Sequence, residues 1–102
     1  MGSRRIARAR NHIVKTPREL RAAANRAQYE TLVADAELAL TFVRVAAASS
    51  DAKIRKRRRD EAAKACELIE QRMPMLELDT LEADTLAKLL SQLISSLAAL
   101  ES

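Results

Sequence analysis

The sequence contains very little of what builds β-sheets and tight turns. Its 102 residues include one glycine, two prolines and only 2% aromatic residues. Sheet-rich domains need turn residues and runs of aromatic or β-branched side chains, so these shortages argue against a β-fold. Alanine and leucine, which are strong helix formers, are abundant instead. We therefore expect an all-α protein.

Histidine and cysteine each occur only once, which leaves little material for catalysis or metal binding. His12 has no second base or metal ligand near it in the sequence, and Cys66 has no partner for an internal disulfide. No Cys/His cluster has zinc-ligand spacing, and no glycine-rich loop is present to hold a phosphate. The sequence thus predicts a protein that is not an enzyme and that uses no cofactor or metal.

Long hydrophobic runs are also absent. The longest uncharged stretch, from Leu89 to Leu100, is too short to span a bilayer. The opening MGSRRI departs from the N-myristoylation pattern, which requires serine or threonine where Ile6 stands. With no secretory signal visible, we expect a cytoplasmic protein without membrane association, although an arginine-rich start is also compatible with an organellar presequence.

Three local signals divide the chain into helices. TPREL at 16–20 combines an N-cap threonine with a proline at the first helical position, so a long helix should start at Pro17. Asp51 is placed to cap a second helix, which Pro74 ends. DTLE at 79–82 is a capping box that opens a third. Because short connections favour antiparallel neighbours, the prediction is an antiparallel three-helix bundle.

Apolar residues in each helix repeat at intervals of three and four, as core-facing stripes do. In the first helix the stripe starts at Tyr29, and Leu38, Phe42 and Val45 widen it. The inner face of the second helix reads Ile54, Ala62, Ala65, Leu68 and Ile69. The third carries Leu86, Leu90, Leu93, Leu97 and Leu100. We expect Leu90 and Leu93 to be nearly fully buried, and a homo-oligomer built on this leucine stripe remains the alternative to packing within one chain.

The first helix is longer than its neighbours can cover. A second helix of about 22 residues, packed back from residue 50, reaches only to about Tyr29. We therefore divide the chain into a basic, partly helical N-terminal extension, residues 1–28, and a bundle domain, residues 29–102. Residues 1–28 contain eight arginines or lysines and one glutamate, whereas residues 73–102 contain one lysine and five acids. We expect residues 1–15 to be disordered, and the start of the third helix to neutralise Arg21 and Arg26.

The segment KIRKRRRDE, residues 53–61, is the strongest positive run in the chain. On a helical wheel Lys53, Lys56 and Arg57 point outward, while Arg58 falls towards the core face. Pairs of Lys56 with Asp60 and Arg57 with Glu61 would stabilise the helix slightly. Three interpretations stay open: a solvated helix surface, a contact for anions or nucleic acid, and a targeting signal. The candidate anion or partner contacts are Arg55, Lys56, Arg57, Arg59, Arg18 and Arg21.

Two consecutive stretches, AELALTFVRVAAASSD and RDEAAKACELIEQRMP, resemble small tetratricopeptide repeats and microtubule-interacting-and-trafficking domains. Ala62 and Pro74 stand where a tetratricopeptide unit has them, whereas Ile69 replaces its alanine, Ser50 replaces its glycine, and no second copy follows. The resemblance covers about 70 residues and implies peptide or protein binding.

Two functions from different classes remain. The first is a small non-catalytic helical interaction module with a protein or peptide partner. The alternative is a nucleic-acid-associated protein that makes sequence-independent phosphate contacts through residues 4–26 and 53–59. No aromatic residue alternates with the charges of residues 53–59, which argues against base stacking.

Overall fold

The computed structural model describes residues 16–101, which form three α-helices and one short 3-10 turn. Helix α1 spans Pro17–Ala48, α2 spans Ala52–Arg72, and α3 spans Thr80–Glu101. The 3-10 turn, Met73–Met75, follows α2 directly. All three helices contact one another, and residues 16–101 contain no strand, so the all-α three-helix bundle is confirmed. The expectation that residues 1–15 are disordered falls outside the described residues.

Side chains cap the helices where the sequence signals place them. Thr16 Oγ1 accepts a hydrogen bond from the backbone N–H of Glu19 at 3.1 Å. Asp51 Oδ1 accepts from the backbone N–H two residues later at 2.8 Å. Asp79 and Glu82 form a reciprocal capping box, with donor–acceptor distances of 2.7 and 3.2 Å. Each cap satisfies helix N–H groups that have no partner inside the helix and is worth about 1 kcal/mol.

The core consists of two adjoining clusters. One contains Ala39, Leu40, Val43, Ala62, Cys66 and Leu93. The other contains Leu32, Ala36, Ile69 and Leu86. Positions 32 and 43 of α1 meet positions 69 and 62 of α2, so these two helices are antiparallel, whereas α3 runs in the same direction as α1. The fully buried alanines at 36, 39 and 62 let the helix backbones approach closely.

One core expectation for α2 and one for α3 are wrong. Ile54 is 43% exposed although it was assigned to the inner face of α2. Its eight-residue separation from Ala62 turns it about 80° off that face, at 3.6 residues per turn. Arg55, seven residues from Ala62, lies closer to the direction of that face but is exposed as well. Leu93 is fully buried, but Leu90 is only partly buried, because it lies between the two clusters at the edge of the stripe.

Helix α1 also has partners before Tyr29, contrary to expectation. Asn25 Nδ2 donates to the carbonyl oxygen of Glu77 at 2.6 Å, and Glu77 N donates to Asn25 Oδ1 at 2.8 Å. The guanidinium of Arg26 pairs with Glu82 at 3.3 Å, as the acidic start of α3 led us to expect. The connection between α2 and α3 therefore packs against α1 beyond the point where α2 ends. The division of the chain at residues 28 and 29 stays a prediction.

Replacing Leu93 by alanine should lower the free energy of unfolding by about 2–5 kcal/mol, because the side chain is fully buried and leaves a cavity. Leu90→Ala should cost less, since part of that side chain already faces water. The exposed pair Lys56→Gln/Arg57→Gln serves as the control and should change stability by less than about 0.5 kcal/mol. Urea unfolding followed by circular dichroism measures all three. A charge variant as destabilised as Leu93→Ala would contradict this description of the core.

Deleting residues 1–28 should leave a domain that still unfolds cooperatively, because the buried positions begin at Leu32. It should be less stable than a protein lacking only residues 1–20, since the longer deletion removes the Asn25–Glu77 and Arg26–Glu82 contacts. The difference should be small, because these hydrogen bonds and this ion pair are exposed to water. Thermal melts compare the two. A longer deletion without any transition would show that the extension is part of the fold.

Candidate interaction surfaces

Three of the predicted contact residues converge at one end of the bundle. Arg55, Lys56 and Arg59 surround a hollow of about 170 Å³. We call it the basic depression, and it is completed by Ala46 near the end of α1, Ala52 at the start of α2 and Leu100 near the end of α3. The site therefore combines three cations with small and apolar walls.

The arginines reach this hollow because they continue the core stripe of α2. Ile69, Cys66 and Ala62 are buried at intervals of three and four residues. Counting back from Ala62 at the same intervals of three and four residues leads to Arg59 and then to Arg55. Apolar residues at these two positions would extend the core to the end of the bundle, but the chain places charges there instead.

Arg58 has a structural role. Its guanidinium carbon lies 5.4 Å from the centre of the Phe42 ring, and its Nη1 pairs with Glu61 at 3.0 Å. The side chain is about one-third exposed, so its stem covers the edge of the core as expected. These contacts use Glu61, which explains why the expected Arg57–Glu61 pair is not formed.

Arg57 lies outside the basic depression. It lines a shallow outward-facing surface with Lys53, Lys56, Asp60, Glu61 and Lys64. Four bases and two acids line it, so carboxylates offset part of its positive charge, whereas the basic depression has no acid in its lining. The expected Lys56–Asp60 pair is also absent among residues 16–101, because Asp60 lies 3.8 Å from Arg59 Nε instead.

The remaining two candidates, Arg18 and Arg21, are exposed at the opposite end of α1. At 1.5 Å per residue, Arg21 is separated from the level of Ala46 by about 38 Å, so the six candidates do not form one site. Arg26, the third basic residue at this end of α1, already forms ion pairs with Glu30 and Glu82. The hydrogen bond that Arg26 Nε donates to Glu30 at 3.0 Å, together with the charge of that carboxylate, raises the pKa of Arg26.

An apolar groove lies between α1 and the 3-10 turn, and sequence reasoning did not identify it. Its volume is about 430 Å³, and its lining consists of Ala27, Gln28, Thr31, Leu32, Arg72, Met75 and Leu76. Met75, at the rim, is 81% exposed. The sequence signal that was available is the large apolar residue directly after helix-ending Pro74, in a turn that has no neighbour to cover it.

The groove borders an uncharged stripe of exposed residues on α1. We call this the outer face, and it consists of exposed residues at intervals of three and four: Leu20, Ala24, Ala27, Thr31, Ala34, Leu38, Thr41, Val45 and Ala48. Leu38, expected in the core stripe, is 52% exposed, and Val45 is exposed as well. Helix α1 therefore has two apolar faces on opposite sides, and the bundle covers one of them.

Cys66 is buried in the core and poorly suited to reaction. Its Sγ lies 3.4 Å from Glu70 Oε1. Burial, followed by the hydrogen bond to Glu70, raises the pKa of the thiol to about 11 from its usual 9.0. Since the thiolate is the reactive form, very little of it exists near neutral pH.

Residues 16–101 contain neither a metal-binding cluster nor a helix that could span a membrane. No group of three or more histidine, cysteine, aspartate or glutamate side chains is arranged to hold a metal ion. None of the helices combines the length and the hydrophobicity needed to cross a bilayer.

Comparison with known proteins identifies no relative of this chain. No protein-family model, no curated protein and no solved structure matches this chain. The resemblance to tetratricopeptide and microtubule-interacting-and-trafficking domains thus stays a prediction.

The burial of Cys66 should make stability depend on pH in the alkaline range. The fold raises the thiol pKa from 9.0 to about 11. The stability gained by burying the neutral thiol is therefore fully present below pH 9. It is lost as the pH rises through 11. The free energy of unfolding should therefore fall more steeply between pH 9 and 11 in the unmodified protein than in Cys66→Ala, as urea titrations at each pH would measure. Parallel curves for the two proteins would contradict the assigned environment.

Proposed function

We propose that this chain is a small, non-catalytic helical module that binds a protein partner in the apolar groove beside Met75. The observation that carries the proposal is the groove itself, which is open to solvent and lined mainly by apolar atoms. A large exposed methionine at the rim of such a groove suits a binding surface, because its flexible side chain adapts to the shape of a partner.

The surface extends well beyond the groove. Ala27 and Thr31 belong both to the groove and to the outer face of α1, so the two form one continuous uncharged area. Burying apolar surface contributes about 25 cal/mol per Å². Small residues along the outer face allow the backbone of a second helix to approach closely. An amphipathic helix is the partner segment that fits this length and spacing.

Basic residues at the groove end of the molecule indicate which charge the partner segment carries. Arg72 is the charged residue of the groove lining. Arg18 and Arg21 are exposed on the first turns of α1, near the groove, and form no ion pair within residues 16–101. Complementary charge steers association and sets the register of binding. The expected partner segment therefore has an apolar face flanked by aspartate or glutamate.

The nucleic-acid alternative has one observation in its favour, the convergence of Arg55, Lys56 and Arg59. Because Arg18 and Arg21 lie about 38 Å further along α1, the contact would be confined to the basic depression. It would also be independent of the groove, so variants in the two places separate the alternatives.

A titration with a designed peptide tests the groove. The probe is an acidic amphipathic helical peptide with a leucine and alanine face, and its lysine-flanked counterpart is the reference. In ¹⁵N-labelled protein, the acidic peptide should shift the amide signals of the groove residues and bind at least about tenfold more tightly than the basic one. Equal affinities would remove the charge argument.

Two matched threonine variants locate the binding. Thr31 lines the groove, whereas Thr41 lies on the outer face away from it. Each hydroxyl donates to the carbonyl four residues earlier, at 2.9 and 3.1 Å, so the local environments match. Thr31→Glu should weaken binding of the acidic peptide at least about tenfold, by obstruction and repulsion inside the groove. Thr41→Glu should weaken it less, because Thr41 meets the partner helix only where the outer face continues beyond the groove. Equal losses, or no binding to the unmodified protein, would count against the proposed function.

A further inference from the structure

We propose that the basic depression is a binding subsite for a phosphate group. Three cationic side chains, Arg55, Lys56 and Arg59, line one hollow of about 170 Å³. They come from successive turns of one helix, so their relative positions are set by the helix. This inference does not depend on the groove or on a protein partner.

The positive charge of the depression is not neutralised by the chain. Within residues 16–101, neither Arg55 nor Lys56 takes part in an ion pair. Arg59 has one partner, Asp60, at 3.8 Å, which is near the limit for such a contact. No carboxylate lines the hollow. An anion entering it would meet three cations and no competing acid of the lining.

These charges do not serve the stability of the bundle. Cations in the first turns of a helix oppose its dipole, and Arg55 and Arg59 occupy core-stripe positions where apolar residues would bury more surface. Arg58, on the same turns, is packed against Phe42 and paired with Glu61. The chain thus accommodates Arg58 structurally, whereas Arg55 and Lys56 form no ion pair within residues 16–101 and Arg59 has one long contact. Residues that break local rules in this way are typical of functional sites.

The charge of the site selects phosphate over carboxylate. A phosphate monoester carries about −1.5 to −2 charges near neutral pH, whereas a carboxylate carries one, so a monoester neutralises more of the three cations. Arginine guanidinium groups also present pairs of N–H donors that match two oxygens of one phosphate. The hollow is small and open to solvent, which suits one phosphate whose attached group extends outward.

Side chains, rather than helix N–H groups, would hold this ligand. The first free N–H groups of α2 already donate to Asp51 Oδ1, at 2.8 and 3.4 Å. Ala46, Ala52 and Leu100 supply apolar walls that reduce the access of water to the cations.

The experiment is a titration of the full chain with inorganic phosphate, followed by NMR of the arginine Nε–H groups and the backbone amides. Sodium acetate at equal ionic strength is the carboxylate probe. Phosphate should give saturable shifts around Arg55 and Arg59, and acetate should bind at least about fivefold more weakly.

Two double variants of equal charge decide whether the site is specific. Arg55→Gln/Arg59→Gln removes two cations from the depression, and Lys53→Gln/Arg57→Gln removes two from the outward side of the same turns. The first should weaken phosphate binding at least about tenfold and the second by less than about twofold. A third variant, Arg55→Lys/Arg59→Lys, keeps the charge and should lose part of the affinity, because lysine does not bind two oxygens side by side. Circular dichroism verifies that each variant folds.

The source of the phosphate is resolved by adding 15-nucleotide single-stranded and duplex DNA as further probes. Oligonucleotide binding that is lost in Arg55→Gln/Arg59→Gln but retained in the control variant assigns the subsite to a nucleic-acid backbone. Saturable binding of inorganic phosphate alone assigns it to a small phosphorylated ligand. Three results overturn the proposal: no saturable shift with phosphate, equal binding of acetate, or equal weakening in both glutamine variants.

Discussion

The close contact between α1 and α2 is the constraint on which the rest of the structure depends. Buried alanines at positions 36, 39 and 62 keep the two helix backbones near each other along their shared length. In a chain of 102 residues with almost no aromatic side chains, the core is filled by close approach rather than by bulk. Once α1 and α2 are in contact, α3 packs against both. Its Leu86 and Leu93 each complete one of the two core clusters.

That arrangement also determines where helix packing ends, and each candidate site lies at one of these ends. Where α2 ends in the 3-10 turn, α1 extends further, and the apolar groove forms between α1 and the turn. Where α1 and α3 end, the first turns of α2 have only Ala46 and Leu100 beside them, and the basic depression forms. One end of the molecule offers apolar surface and the other offers charge. They are separated by most of the length of α1.

The helices and their ends could be read from the sequence because the signals are local. Thr16, Asp51 and the pair Asp79 and Glu82 cap the helices within one turn of themselves, so neighbouring helices do not change their effect. The groove and the depression could not be read in this way. Their positions depend on where one helix ends relative to another, which no single segment specifies.

The faces of α1 illustrate the same limit. Leu38 and Val45 follow the same three-and-four spacing as Leu40 and Val43, and periodicity alone does not tell which pair a neighbour covers. The structure buries the second pair and exposes the first. For the basic run, the wheel correctly separated Arg58 from its outward neighbours, but it did not reveal that Arg55 and Arg59 meet residues of α1 and α3.

The contacts of Asn25 and Arg26 have a consequence for the order of folding. They join residues 52 and 56 positions apart, respectively, whereas helix caps and helical turns close over three or four residues. Long loops cost more entropy to close, and they form productively only after shorter-range contacts have reduced the distance. The connection between α2 and α3 should therefore find its place on α1 late, after the helices have paired. Because these links are few and solvent-exposed, the same connection would also be among the first parts of the molecule to open.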